Sequence, residues 1–152
     1  MPYTKTFNIR WTDIDANRHV TSTAYAIYVV ETRLAYMSEH GFNQSRINSF
    51  DIGPVVLHEE FFYLKEILPD EKVTVTLELK GMTQDKRFYK FLQKVQNPKG
   101  ENCATCLCTF CWLDLKTRKV CIPPKELLSI FENLPKTKDY RTLSKEDMPR
   151  YG

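Results

Sequence analysis

Apolar and polar residues alternate along most of the chain, and the period shifts from two to about 3.6 in two places, one long and one short. Residues 4–11 (Thr-Lys-Thr-Phe-Asn-Ile-Arg-Trp) place Phe7, Ile9 and Trp11 on one face of an extended segment. Residues 12–21 are polar and irregular. A helix is predicted from about Ser22 to Glu39, stopped by Gly41. Thr21, Ser22 and Thr23 can each cap its start. Its apolar residues (Ala24, Tyr25, Ile27, Tyr28, Val29, Val30, Leu34, Ala35, Met37) cover most of the first three turns instead of one stripe. That pattern predicts a helix enclosed on several sides.

A loop at 43–53 leads into four predicted strands, at 54–67, 72–80, 87–96 and 102–115. In the second, Val73, Val75, Leu77 and Leu79 alternate with Thr74, Thr76, Glu78 and Lys80. The turns fall at Pro69-Asp70-Glu71, at 81–86 and at Asn97-Pro98-Lys99-Gly100. Pro123-Pro124 opens a short helix with Leu127, Leu128, Phe131 and Leu134 as its stripe. Consecutive strands joined by short turns predict an antiparallel sheet, and the apolar helix ahead of them needs that sheet as cover. The expected architecture is α+β: a curved antiparallel sheet of about five strands wrapped around one long central helix, plus a short C-terminal helix. It forms a single domain over residues 1–134, followed by a polar tail at 135–152.

Composition narrows the function classes. The chain has 152 residues, 42% of them hydrophobic and 27% charged, enough for one ordinary core. No apolar run approaches the ~18 residues of a spanning helix. The first residues lack a signal-peptide core and the last lack a prenylation box, so the expectation is a cytoplasmic protein with no membrane contact. The 22 basic and 19 acidic residues are interspersed, which argues against nucleic acid; the small excess suits an anionic small-molecule substrate. Four of the five cysteines crowd residues 103–111. Only one residue separates the two CxxC pairs, too little for a zinc site built from two pairs. A strand there puts Cys106 and Cys108 on one face and Cys103 and Cys111 on the other. Reduced packing residues and no bound metal are therefore expected.

Five glycines and no GxSxG leave no phosphate loop and no serine elbow. The chemistry is concentrated between Trp11 and Tyr25, where Asp13, Asp15, Asn17 and His19 precede a helix start. A helix N-terminus offers unpaired N–H groups and a partial positive charge, able to stabilise an oxyanion. A carboxylate beside it can serve as base or nucleophile. Acyl transfer or hydrolysis is the chemistry such a layout supports; helix capping and loop structure are the plain alternative for the same residue types.

The stretch resembles the signature of hotdog-fold thioesterases, the 4-hydroxybenzoyl-CoA and acyl-ACP thioesterase superfamily. Asp15-Ala-Asn17-Arg-His19-Val20, with Tyr25, is similar to the D-x-N-x-H-V-N-N-x-x-Y pattern of acyl-ACP thioesterases. Asp15 also falls on the catalytic aspartate of the D-x-D-x-x-G segment in the 4-hydroxybenzoyl-CoA type. Glu31 and Arg33, Ile52-Gly53-Pro54-Val55, Leu68-Pro69-Asp70-Glu71 and Leu113-Asp114-Leu115-Lys116-Thr117 extend the resemblance over residues 5–130. The chain departs from the pattern at Thr21-Ser22, where the family has two asparagines, and at Arg18, where one branch has glycine.

The resemblance implies an acyl-CoA or acyl-ACP thioesterase of the hotdog fold. Asp15 is the implied base or nucleophile, Asn17 and His19 orient it or the water, and the Ser22 and Thr23 amides form the oxyanion hole. Trp11 and Tyr25 are candidates for the acyl pocket or for the core. Lys65, Lys86 and Arg87 are candidates for coenzyme phosphates or plain surface charge, and His58 and Glu59 for a pocket shared between subunits. His40 is expected to cap the helix end. The implied assembly is a homodimer, with a tetramer as an extension. No cofactor is implied beyond the coenzyme A or carrier phosphopantetheine of the substrate. An acyl-thioester-binding module without turnover and a dehydratase or hydratase are the alternatives.

Overall fold

The computed structural model describes residues 1–149. Strand β1 (Tyr3–Asn8) leads through a 3-10 turn (Trp11–Asp13) to the long helix α1 (Ser22–Glu39) and the short helix α2 (Gln44–Asn48). Four long strands follow: β2 (Ile52–Tyr63), β3 (Lys72–Thr83), β4 (Phe88–Gln96) and β5 (Asn102–Asp114). The short strand β6 (Val120–Cys121), helix α3 (Lys125–Glu132), strand β7 (Lys136–Leu143) and a 3-10 turn (Lys145–Asp147) complete it. The main path of the sheet is β1-β3-β4-β5-β2, all antiparallel; β6 pairs with β5, and β7 runs parallel to β3.

The helix begins where the capping pattern predicts. Thr21 is extended, and its hydroxyl accepts the Ala24 amide at 3.2 Å. At the other end Gly41 takes φ +91°, which lets the Phe42 amide return to the Met37 carbonyl, and His40 Nδ1 lies 2.7 Å from the Tyr36 carbonyl. Ala24, Tyr28, Val29, Tyr36 and Met37 bury themselves against the inward residues of β3 (Val73, Val75, Leu77, Leu79) and β4 (Phe91, Val95). One stripe of α1 stays uncovered: Ile27, Val30 and Leu34 are exposed. The expected enclosure of the helix is therefore incomplete in a single chain.

The structure corrects four boundaries. The first strand ends at Asn8, so Trp11 sits in the 3-10 turn and is 92% exposed instead of sharing a face with Phe7. The loop at 43–53 contains α2, capped by the Asn43 carboxamide on the Arg46 amide at 2.9 Å. β2 stops at Tyr63: the Leu64 and Lys65 amides both turn to the Cys103 carbonyl, and the chain peels off so that Ile67 can accept the Val20 amide. The segment expected as a polar tail forms β7, in which only Thr137 and Leu143 are buried. The domain thus continues to at least Leu143; residues 150–152 lie outside the described residues. Two short partners, β1 and β7, share the outer edge of β3. Among the described residues no helix is long and apolar enough to cross a membrane.

β7 reaches β3 because residue 81 has no side chain. A Cβ on Gly81 would lie 2.5 Å from Leu143 Cδ2 and 2.8 Å from the Arg141 carbonyl. Gly81→Val should therefore push β7 off the sheet and cost about 1–3 kcal/mol, read as a lowered Tm, with faster proteolysis after Leu134. An unchanged Tm would mean that β7 contributes nothing to the fold.

Candidate active site

The site begins with a buried carboxylate. Asp13 is 2% exposed. It accepts hydrogen bonds from the Arg10 amide at 3.1 Å, from Arg10 Nε at 3.3 Å and Nη2 at 3.1 Å, and from the Tyr28 hydroxyl at 2.8 Å. Burial pushes the carboxyl up, but the guanidinium and the hydroxyl outweigh it and hold it below its usual value. Tyr28 is pushed up by burial and by the charge it faces. The Asp13 carbonyl accepts the Thr21 amide at 2.7 Å. One residue therefore fixes both ends of the 13–21 loop to the second turn of α1.

Inside that loop the chain makes a tight turn, closed by a bridge between Ile14 and Val20. The Asp15 carbonyl accepts the Arg18 amide, and the Asp15 amide donates to the His19 carbonyl. Arg18 takes φ +62°, a left-handed conformation natural to glycine, which explains why one branch of the resembling pattern carries glycine there. The Asp15 carboxylate is held at the turn by the Asn17 amide at 2.8 Å and the His19 amide at 3.5 Å. Its Oδ2 lies 3.4 Å from His19 Nδ1, and both side chains remain about one-third exposed. His19 Nδ1 also lies 3.2 Å from the Val20 carbonyl. Asn17 thus orients Asp15 through its backbone N–H; its exposed side chain is not engaged there.

Beyond the loop, the Ser22 and Thr23 amides open α1 and have no acceptor among the described residues, while Thr23 Oγ1 lies 3.0 Å from the Thr21 hydroxyl. A cleft of about 360 Å³ opens over this helix start, lined by His19, Val20, Ser22, Tyr25, Tyr63, Leu64, Lys65 and Glu66. Tyr25 is buried at its inner wall, and its ring meets Tyr63 edge-on at 5.3 Å. Burial pushes the Tyr25 hydroxyl up to about 12, so it is a neutral donor at ordinary pH. Lys65 lies at the mouth, paired with Glu101 at 2.6 Å. A second cleft, about 450 Å³, is lined by Ile9, Trp11, Ile14, Arg18, Pro69 and Asp70.

Asp15, His19, Ser22, Thr23, Tyr25 and Lys65 are therefore brought to one end of α1. Trp11 lines the second cleft and not an interior pocket with Tyr25. His58 pairs with Thr109, on the face of β2 turned away from α1, because a bulge between Val56 and His58 shifts the alternation. Lys86 and Arg87 sit in the β3–β4 turn, at the far end of β3 from Lys72. There Lys86 faces Glu132 of α3 at 3.9 Å, and Arg87 donates to the Val120 carbonyl. Neither reaches Asp15 within one chain. Tyr63 and Glu66, unnoticed in the pattern, complete the cleft; the aromatic pair Tyr25–Tyr63 is invisible until the strand and helix are packed.

The cysteines are free and do not form a nucleophilic centre. Burial pushes Cys106 up to about 12 and Cys108 up to about 11, with Arg33 opposing the shift in each case. Cys103, Cys111 and Cys121 are raised by burial as well. Among the described residues, no cluster of three or more His, Cys, Asp or Glu side chains is placed to hold a metal ion. In the folded protein only the half-buried Cys121 should react promptly with a thiol reagent at neutral pH, and all five should titrate after unfolding without reductant. Fewer than five would reveal an oxidised pair.

A family model described as the thioesterase-like superfamily matches residues 9–131. No curated protein sequence matches the chain. Several solved structures share the fold. A hypothetical protein of Staphylococcus aureus, solved in complex with CoA, superposes with a TM-score of 0.81 at 19% identity, over 91% of this chain and 89% of that one. A 1,4-dihydroxy-2-naphthoyl-CoA thioesterase from Synechocystis gives 0.79 at 13% identity, over 88% and 98%. A DHNA-CoA thioesterase from Staphylococcus aureus gives 0.76 at 20%, over 86% and 88%.

Proposed function

The chain belongs to the thioesterase-like superfamily, with the hotdog fold, and we propose from there that it hydrolyses an acyl thioester, acyl-CoA or acyl-carrier-bound, to the free acid and thiol. The observation that carries this is the Asp15 carboxylate, held by two backbone amides in the turn before α1 and in contact with His19, which lines the cleft over the helix start where the Ser22 and Thr23 amides have no acceptor. The CoA chemistry of the similar structures supports an acyl-CoA substrate.

In this reading the thioester carbonyl lies over the helix start and its oxygen faces the Ser22 and Thr23 N–H groups. Asp15 takes a proton from water, whose oxygen attacks the carbonyl carbon. The negative charge that develops on the carbonyl oxygen is met by the two amides and the helix dipole. Collapse breaks the C–S bond, and the departing thiolate recovers the proton from Asp15. Direct attack by Asp15, through an anhydride that water then opens, uses the same geometry. His19, in contact with Asp15 Oδ2, positions the carboxylate. The substrate's own CoA or phosphopantetheine is the only prosthetic chemistry the reaction needs. Tyr25 and Tyr63 wall the site, and Lys65, which lines the cleft and is paired with Glu101, is the proposed partner of a coenzyme phosphate.

A homodimer completes this reading. β2 is a twelve-residue strand at an open sheet edge, and Val56, Leu57, Phe62, Tyr63 and Leu64 on and just beyond it are exposed. The uncovered α1 stripe of Ile27, Val30 and Leu34 adds to the apolar surface on the same chain. Pairing two β2 edges about a two-fold axis covers the edge and reverses one chain relative to the other. That reversal keeps Lys86, Arg87 and Glu59 as candidates for contacts across the seam. A tetramer would be a pair of such dimers.

Asp15→Asn should lower kcat/KM on acyl-CoAs by at least about 10²-fold with an unchanged circular dichroism spectrum, measured by release of free thiol. Near-normal turnover would remove Asp15 from the chemistry. Binding without thiol release in the native protein would instead favour a module that holds thioesters, and water addition to an enoyl-CoA would favour a hydratase. Light scattering at micromolar concentration should return a dimer or a multiple of it; a fully active monomer would defeat the shared interface.

A further inference from the structure

The cleft at the helix start has a counterpart farther along α1. A smaller apolar cavity of about 110 Å³ is lined by Val30, Arg33, Leu34, Met37, Pro54, Val56, Phe91, Phe110 and Phe131. Between the two, side chains of α1 and β2 meet along a seam. Strand pairing places Tyr63, Phe61, Glu59, Val56 and Pro54 opposite Ala104, Cys106, Cys108, Phe110 and Trp112, so these β2 residues share the face that looks at α1. From the candidate site onward the seam meets Tyr25 with Tyr63, then Arg33 with Glu59, then the cavity around Val56 and Pro54. Ser22 and Arg33 are eleven residues apart on one helix, roughly 16 Å at the helical rise. An acyl tail anchored at the helix start and laid along the seam arrives at Arg33.

What it meets there is a desolvated ion pair. Arg33 Nη2 lies 2.8 Å from Glu59 Oε2, with the two side chains only 11% and 24% exposed. Arg33 Nε donates to Gln93 Oε1 at 2.7 Å, and Gln93, fully buried, donates on to the Val29 carbonyl at 3.0 Å. Arg33 Nη2 also approaches Cys106 Sγ at 3.7 Å. Nη1 has no acceptor among the described residues, and the side chain lines the apolar cavity. Paired buried charges hold strongly to each other and resist displacement by methylene groups, which offer no hydrogen bond in return. A donor left free among apolar walls rewards an oxygen placed against it.

We propose that the Arg33–Glu59 pair is a polar stop in the acyl channel: it limits how deep an unsubstituted acyl chain enters, and it admits past that depth a chain carrying an oxygen function for Arg33 Nη1. This rests on the proposed acyl-thioester function and names the substrate class that the site would select: short or medium unsubstituted acyl groups, or longer ones oxygenated toward the far end.

The test is calorimetric binding of CoA thioethers, which cannot be hydrolysed, bearing butyl, octyl, dodecyl, hexadecyl and ω-hydroxydodecyl chains. In the native protein affinity should rise to dodecyl, whose extended chain spans roughly the same 16 Å, and then level off, and the ω-hydroxydodecyl ligand should bind roughly tenfold tighter than dodecyl. In the R33M/E59L double variant, which exchanges the pair for apolar side chains, hexadecyl should gain roughly tenfold, butyl and octyl should not change, and the hydroxyl should lose its advantage. Should that variant not fold by circular dichroism, R33L/E59M, a second apolar exchange, is read by the same rule. An unaltered length profile in a folded variant overturns the stop and leaves the thioesterase reading standing. The expected profile without hydrolysis of the matching acyl-CoAs overturns the thioesterase reading and leaves the stop. Binding of none of the thioethers overturns both.

Discussion

A buried carboxylate holding the loop to the helix is the constraint on which the rest depends. Asp13 gathers a guanidinium, a phenol and backbone N–H groups around one point, and none of the partners can leave without stranding a charge away from water. Because Tyr28 stands on the second turn of α1 and Thr21 is its cap, the loop between them has little freedom. The turn that presents Asp15 is thus set by an interaction in which Asp15 takes no part. Rigidity sits on the hidden carboxylate, two residues away from the partly exposed one that is the proposed base.

The sheet supplies the second half of the frame. Its inward residues cover one side of α1 and leave the Ile27, Val30 and Leu34 stripe bare, so the helix lies in a trough with one open flank. The β2 bulge decides what that flank offers. Without it, His58 would look at α1 and Glu59 away; with it, Glu59 turns inward to meet Arg33. A single extra residue in a strand therefore places the ion pair in the seam.

Much of this was legible in the sequence, for identifiable reasons. The limits of α1 followed from Thr21 and Gly41, whose roles are local, and the inward set of β3 from strict alternation. The Asp15–Tyr25 motif is legible because its residues are contiguous, whereas the tight turn that presents Asp15 is not. What stayed hidden depends on partners distant in sequence. β7 is almost wholly polar outside Thr137 and Leu143, and only a glycine on β3 makes room for it. Alternation alone carries the first strand to Trp11 and leaves that residue between core and acyl pocket; the Arg10–Asp13 contact turns the chain before it gets there. Arg33 and Glu59 carry no signal of pairing until the strand and helix are side by side.

The outer edge of β3 carries a consequence for how the molecule comes to be folded. That edge is completed at one end by the first strand of the chain and at the other by β7, which is reached only after the whole β-meander and α3. Both pairings close long loops, and the entropy lost in closing them is recovered only when the contacts form. Synthesis must therefore run past residue 143 before β3 is fully paired. Until then a stretch of unpaired backbone around Gly81 faces outward on an otherwise assembled sheet, a period in which nascent chains are exposed to strand exchange with one another.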